Sequence, residues 1–286
     1  MNPSGLTLSI AIITLNEERN LGRCLSSFRF SPHLFQEIQV IVVDAESRDN
    51  TVALARERGA QVFIRPWQGY ADQRNWALAR CTGDWILVMD ADEELTPDLI
   101  AEIETEIPRA SLDVDGYNLA RRTFFCGKWI RHCGWYPGYQ LRLFRRGAGR
   151  YPNVHLHEGV VIGGRALHLT APMNHYSYDS IRHYVEKANR YTDLEILDIP
   201  PLGSRNPGYH LIVAPFRKFL WMYFRGKGFL DGWHGFILCT LSGFSQFIKY
   251  AKLWAMASGA RSSEAQIPAK PNGGLTDQAP TQTRNS

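Results

Sequence analysis

The sequence predicts an α/β fold: a mostly parallel sheet with helices on both faces, followed by a helical C-terminal region. Three observations predict it. The first hundred residues alternate between apolar runs of strand length and segments with helical spacing. Those runs are apolar at consecutive positions, as in strands buried on both faces, and not at every second one. Residues 208–257 then form a strongly aromatic and apolar section.

The elements follow in order. Residues 8–13 are the first strand run, and 16–28 have helical spacing. Residues 38–43 are a second run, and 49–58 a helix ended by Gly59. A short strand is expected over 61–64 and a helix over 70–80, ending near Gly83. Residues 85–89 form the next strand, and Pro97 occupies the first turn of a helix over 98–107. After Asp115 the strands shorten, to 117–125, 139–144 and 159–162, with aromatic and basic residues between them. Residues 180–196 are helical, and Pro200-Pro201 and Gly203 then break the chain. No internal repeat is present.

With 286 residues, 44% of them hydrophobic, the chain can build one large core or a domain of about 200 residues with an appendage. The division expected is 1–195, split into halves at 110, then a helical region over 196–258 and a disordered tail over 259–286. That tail is rich in Pro, Gly, Gln, Thr and Asn and poor in large apolar residues. The net charge of +4 is mild, and no nucleic-acid partner is expected. Basic residues concentrate locally. Eight Lys/Arg and no Asp or Glu lie between Arg121 and Arg150, which suits an anionic partner or is simply a solvated face. Five scattered cysteines form neither a zinc knuckle nor a disulfide framework, and a reducing compartment fits them better. The N-terminus has no basic segment leading into an apolar stretch of signal length, so the expected location is cytoplasmic.

Ligands of parallel sheets bind beyond the carboxyl ends of the strands. The first strand ends in Thr14-Leu15-Asn16-Glu17-Glu18, and the second in Asp44-Ala45-Glu46-Ser47-Arg48-Asp49-Asn50-Thr51. Asn16, Asp49 and Asn50 each precede a helix, and N-capping accounts for them taken singly. Asp44 stands at the strand end itself, where a carboxylate can accept hydrogen bonds from a base or from ribose hydroxyls. The fourth strand ends in Asp90-Ala91-Asp92-Glu93. Two carboxylates at alternate positions converge on one cation if the chain turns there. Such a hard oxygen site suits Mg²⁺ or Mn²⁺, which also binds diphosphate oxygens. Asp113-Val114-Asp115 repeats the pattern, but in a polar turn before a strand, so the metal reading goes to Asp90 and Asp92.

The segments LSIAIITLNEERNL, VIVVDAESRDNTVALA and DQRNWALARCTGDWILVMDADEEL occur in this order within about residues 7–107. Together they resemble the N-terminal half of inverting glycosyltransferase family 2, whose fold is of the GT-A type. The resemblance implies that Thr14, Asn16, Glu17 and Asp44 line a nucleotide pocket. It also implies that Arg74 and Asn75 lie near the donor and that Asp90 and Asp92 form a diphosphate–metal motif. For Arg74 an exposed helix position is the competing reading. The later segments RLFRRGAGRYPNVHLHEGVVIGG, MNHYSYDSIRHYVEKANRYTDLE and RGKGFLDGWHGF resemble the lipopolysaccharide core β-glucosyltransferases, to about residue 255. That branch implies UDP-glucose as donor and an inner-core heptose as acceptor, with a polyprenyl-phosphate acceptor as second choice.

Inverting transfer needs a base for the acceptor hydroxyl. Glu158, in His155-Leu156-His157-Glu158, is the candidate, set against a surface carboxylate paired with a nearby Arg. His157 either orients Glu158 or touches phosphate. His175 is a further metal or diphosphate ligand, or a structural histidine. The clustered His and Glu also raise a zinc hydrolase, but no His-Glu-x-x-His helix is present.

In the C-terminal section, Trp221, Tyr223, Trp233, Tyr250 and Trp254 mix with Arg225, Lys227, Lys249 and Lys252. This mixture is typical of a helix lying in the headgroup region, so peripheral contact with the inner face of the cytoplasmic membrane is expected. A helical cap over the acceptor cleft and an oligomer contact are the alternatives. Two other functions compete. A nucleotidyltransferase needs a Gly-rich phosphate loop where this chain has Thr-Leu-Asn-Glu-Glu. A non-catalytic nucleotide-sugar or membrane-interaction protein binds without turnover.

Overall fold

The structure, a computed structural model, describes residues 5–152, 159–197, 199 and 208–257. The tail expected over 259–286 and the breaks at Pro200-Pro201 and Gly203 lie outside the described residues.

The first half builds β1 (Leu6–Thr14), α1 (Glu18–Ser26), β2 (Phe35–Asp44), α2 (Thr51–Glu57), β3 (Gln61–Ile64), α3 (Tyr70–Leu78), β4 (Trp85–Asp90), β5 (Glu93–Glu94) and α4 (Pro97–Glu106). The second half adds β6 (Val114–Phe125), β7 (Lys128–Trp129), β8 (Gln140–Arg145), β9 (Gly149–Arg150), β10 (Val161–Ile162), β11 (Arg165–Tyr178) and α5 (Ile181–Glu195). α6 (Ala214–Leu220), extended at both ends by wider helical turns, and α7 (Gly232–Ala257) close the chain.

One sheet runs in the order β3-β2-β1-β4-β8-β6-β11-β5, with β7 paired to β6. β1 to β4 pair in parallel, as do β6 and β11, while β8 runs antiparallel between β4 and β6. The expected α/β class, with a sheet dominated by long parallel pairings and a helical C-terminal region, is what forms.

The two-sided apolar runs have a direct cause. Successive side chains of a strand point to opposite faces. Leu8, Ile10 and Ile12 of β1, Val42 of β2 and Trp85, Leu87 and Met89 of β4 join one core with α1, α2 and α4. Ala11, Ile41, Val43, Ile86 and Val88 join a second core with Ala71 and Ala77 of α3. Helices therefore cover both faces. Gly59 ends α2 as expected, with φ of 79°, and Pro97 opens α4 behind Thr96, whose hydroxyl accepts from the Leu99 N–H at 3.2 Å.

Two expectations need correction. β11 was not anticipated. It contains Pro172 and its pairing with β6 slips three times, so it has neither a continuous apolar run nor a strict two-residue period. Nor do Asn16 and Asn50 cap helices with their side chains. α1 begins after Glu17 and α2 after Asn50, each without a side-chain cap. Asn16 adopts φ of 55° and bonds across to the neighbouring loop instead.

A third cluster, with Phe125, Ile130, Cys133, Tyr184, Met222, Leu238 and Cys239, fastens the C-terminal helices to β6 and α5. α6 and α7 approach closely there. A Cβ on Gly243 of α7 would lie 3.0 Å from the Pro215 carbonyl oxygen of α6. All five cysteines are free thiols, four of them buried.

Candidate active site

β1 lies between β2 and β4, and the chain turns from one direction of sheet growth to the other at this point. The carboxyl end of such a switch point is where open α/β sheets bind ligands. Thr14 pairs with Asp44, and Ile13 with Asp90, so three polar strand ends from distant parts of the sequence stand side by side.

Asp44 is fully buried. It accepts from the Thr14 hydroxyl (2.8 Å), the Ser47 N–H (2.7 Å) and the Ser47 hydroxyl (2.6 Å). These bonds use three of about four lone-pair positions and fix the loop after β2. Asn16 clips the adjoining loop to it. Its N–H donates to Ser47 Oγ at 2.7 Å, and its Oδ1 accepts from the Arg48 N–H at 2.9 Å. The Glu17 N–H donates to Thr51 Oγ1, and its carboxylate accepts from Asn20. Burial pushes the Glu17 carboxyl up, with Asp92 and Asp90 adding to the shift against the Asn20 bond.

The second group centres on Asp90. Arg74 Nη2 donates to its Oδ1 at 2.9 Å, and Arg142 Nη2 to its Oδ2 at 2.5 Å. Arg142 also donates to Glu93 Oε1 at 2.8 Å, while Glu93 Oε2 accepts from the Asp90 N–H. Burial alone would raise the Asp90 carboxyl, but the two guanidinium groups hold it well below the usual range. Glu93, wholly buried, is pushed up by burial and by the Asp90 charge, against the pull of Arg142. Arg74 lies over the rings of Tyr151 and Tyr70, at 5.2 and 5.6 Å, and is largely buried, so the exposed-helix reading does not describe it. Asn75 holds the Tyr151 main chain with both amide atoms, at 2.8 and 2.9 Å.

Asp92 faces His175 from β11, Oδ2 to Nε2 at 3.4 Å. This is long for a hydrogen bond. His175 Nδ1 is buried and has no hydrogen-bond partner among the described residues. A carboxylate and an imidazole with a gap between them suit a divalent cation whose other ligands come from phosphate oxygens and water. Among the described residues, no group of three His, Cys, Asp or Glu could hold an ion alone. Of the second Asp-x-Asp, Asp113 sits in the turn before β6 and pairs loosely with Arg165 at 3.4 Å, while Asp115, expected in that turn, is the second residue of the strand. Glu158 and His157 lie outside the described residues.

Two site residues escaped the sequence reading. Arg142 was counted only as part of the basic run. Its signal was an Arg between Leu141 and Leu143 in a strand otherwise bound for the core. Lys187 shares a helical face with Tyr184 and Tyr191, and a Lys on that packed face needs an ionic reason. It donates to Ser177 Oγ at 3.2 Å, and although burial disfavours its charge, Asp92 and the neighbouring tyrosines lift its pKa.

Asp92 makes a testable contribution to stability. Burial would raise its carboxyl, but His175 overrides this and brings it from 3.8 to about 2. A carboxyl depressed in the folded state stabilises above its unfolded pKa and loses that contribution as pH falls through the folded value. In metal-free protein, about 2 kcal/mol should therefore disappear between about pH 4 and pH 2. Urea denaturation in EDTA across this window should show a smaller acid loss in His175→Gln.

Residues 9–162 match the family described as Glycosyl transferase family 2. The lipopolysaccharide core biosynthesis glycosyltransferase LpsC of Rhizobium meliloti is 33% identical over 256 residues, covering 87% of this chain and 92% of LpsC. This protein belongs to glycosyl transferase family 2. An uncharacterised glycosyltransferase of Rickettsia typhi is 32% identical and covers 89% of each chain. Among solved structures, the mannosyltransferase PcManGT from Pyrobaculum calidifontis, in complex with GDP-Man and Mn²⁺, gives a TM-score of 0.47 at 16% identity, covering 91% of this chain and 77% of that one. TarS 1–349 of S. aureus, in complex with UDP-GlcNAc, gives 0.45 at 14%, covering 90% and 93%. The family 2 match takes in Thr14, Asp44, Asp90, Asp92 and Arg142, whereas His175 and Lys187 lie beyond it. Membership in family 2 sets aside the nucleotidyltransferase and zinc-hydrolase readings.

Proposed function

We propose that this glycosyltransferase is an inverting, divalent-cation-dependent enzyme that transfers glucose from UDP-glucose to a sugar of the lipopolysaccharide core or of a lipid-linked glycan. The observation that carries the reading is the pairing of Asp92 with His175, next to Arg74, Arg142 and Lys187, at the carboxyl ends of β1 and β4. Mg²⁺ or Mn²⁺ held by Asp92 and His175 would offset the charge that develops on the departing diphosphate. Lys187 and Arg74 add fixed positive charge on the same side, where removal from water strengthens it. Asp90, held by two arginines, serves chiefly to orient Arg74 and Arg142 toward the donor. Thr14, Asn16, Glu17 and Asp44 shape the nucleoside end, and Asn75 holds the Tyr151 main chain beside it. Glu158, with His157 to orient it, takes the proton of the acceptor hydroxyl as that oxygen attacks the anomeric carbon. The bond to the diphosphate breaks as the new glycosidic bond forms.

The acceptor assignment rests on the similarity to LpsC and on the sequence resemblance to the core glucosyltransferases. Residues 1–110 are taken as the donor half and 111–195 as the acceptor half. We assign the work to the inner face of the cytoplasmic membrane, through peripheral contact by the aromatic residues after residue 208. No helix among the described residues is long and apolar enough to cross a membrane.

Calorimetric titration with UDP, UDP-glucose, GDP and dTDP, in Mn²⁺ and in EDTA, tests the donor reading. UDP and UDP-glucose should bind tightly only with the cation. Folded protein that binds none of these nucleotides would favour the interaction-protein reading.

A further inference from the structure

The C-terminal helices meet at a tip where large apolar side chains face solvent. Trp221, Phe224, Phe229 and Leu230 are about half exposed there, and Trp233 is 78% exposed. Contiguous apolar surface of this kind marks an interaction site. Residues 208–234 contain Arg217, Lys218, Arg225 and Lys227, against a single acidic residue, Asp231. Asp231 is buried, and its carboxylate is engaged inside the protein. It accepts from the main-chain N–H groups of Arg131 (3.3 Å) and His132 (2.9 Å) and lies 3.2 Å from His132 Nδ1. Lys128 Nζ donates to the Asp231 carbonyl at 2.7 Å.

These contacts join the β7 segment to the tip and border an open cavity of about 400 Å³, lined by Lys128, Trp129, Arg131, His132, Leu230 and Asp231. The Arg131 guanidinium lies over the Trp129 ring at 4.3 Å. The Trp129 indole N–H is buried without a partner among the described residues. The cavity thus carries two exposed cationic side chains, and Leu230 adds an apolar side chain to its lining.

We propose that this cavity binds the phosphate headgroup of an anionic phospholipid, and that the aromatic tip around it is the surface by which the protein docks on a bilayer. The charge is complementary to an anionic leaflet, and tryptophans beside basic residues occupy the headgroup layer. A free phosphate would account for Lys128 and Arg131 but not for the exposed Leu230 in the same lining, nor for Trp233, exposed two residues after Asp231. The bonds to Asp231 fix the cavity wall in advance, which reduces the ordering cost of binding. This inference rests on the membrane contact in the proposed function and gives it a place and a ligand.

The test uses the full chain with vesicles of phosphatidylcholine alone and of phosphatidylcholine mixed with phosphatidylglycerol. Wild type should co-sediment with the anionic vesicles. Lys128→Gln/Arg131→Gln should weaken that binding about 30-fold, two basic side chains near a charged surface. Trp233→Ser should weaken binding to both vesicle types. Soluble short-chain phosphatidylglycerol should bind saturably to wild type and lose affinity in the double variant, while inorganic phosphate binds far more weakly. The proposal fails if the double variant binds anionic vesicles as wild type does, or if inorganic phosphate matches the short-chain lipid. UDP titration of the same samples separates the two readings. Wild type that docks on vesicles without binding nucleotide would count against the transferase assignment and leave this one standing.

Discussion

Asp92→Ala should lower turnover about 10²–10³-fold and remove the cation dependence of UDP binding. The magnitude is that of deleting one preorganised charge partner at the position where transition-state charge develops. Asp92 is suited to the role because its folded carboxyl is brought down to about 2, so it stays ionised throughout the neutral range. Without it, the gap keeps the His175 imidazole but loses the carboxylate that faces it. In metal-free protein, stability near neutral pH should fall by about 2 kcal/mol, the contribution that the depressed carboxyl makes above its unfolded pKa. Asp113→Ala is the matched control. Its carboxylate belongs to the same three-residue pattern but sits exposed before β6, and turnover should be unaffected. The decisive measurement pairs UDP-release kinetics in Mn²⁺ with UDP titration in Mn²⁺ and EDTA. An Asp92→Ala protein that keeps cation-dependent UDP affinity would show that the ion is not held there.

How much of this was visible in the sequence depends on where each residue finds its partners. The strands β1, β2 and β4 were legible because burial on both faces leaves continuous apolar runs in a short stretch of chain. The strand ends then pointed to Asp44, Asp90 and Asp92, and the resemblance to family 2 added Thr14. β11 was not legible. Its register slips and its Pro172 erase the two-residue period, and His175 therefore looked like an isolated histidine. The Asn16 side chain was read as a cap because its surroundings match a helix start, yet its partner is the Arg48 N–H, 32 residues away. Arg142 lies 52 residues from Asp90, so a local pattern could reveal only an oddity, an arginine in a core strand. Local chemistry gave the positions of the groups, and only the sheet order gave their pairings.

Arg142→Met should destabilise the protein by about 3–5 kcal/mol, the cost of leaving buried charge without its partner. Arg142 is 7% exposed and holds two carboxylates with one terminal nitrogen, Asp90 at 2.5 Å and Glu93 at 2.8 Å. Methionine fills much of the same volume, but Arg74 then remains to offset Asp90, and the Asp90 N–H is the hydrogen bond left to Glu93. The pH dependence identifies the cause. Burial already raises the Glu93 carboxyl, and loss of Arg142 raises it further. A carboxyl raised in the folded state contributes stability below its unfolded pKa and loses it as pH climbs through the folded value. The deficit of Arg142→Met relative to wild type should therefore shrink as pH is lowered from neutrality toward 5. Arg142→Met/Glu93→Gln should recover much of the loss at pH 7, because the amide oxygen still accepts from the Asp90 N–H and no charge is stranded. Urea denaturation of the four proteins in this cycle measures the coupling directly. If the double variant is as unstable as Arg142→Met alone, the arginine acts through the packing of its stem, and charge at Glu93 is not what it holds in place.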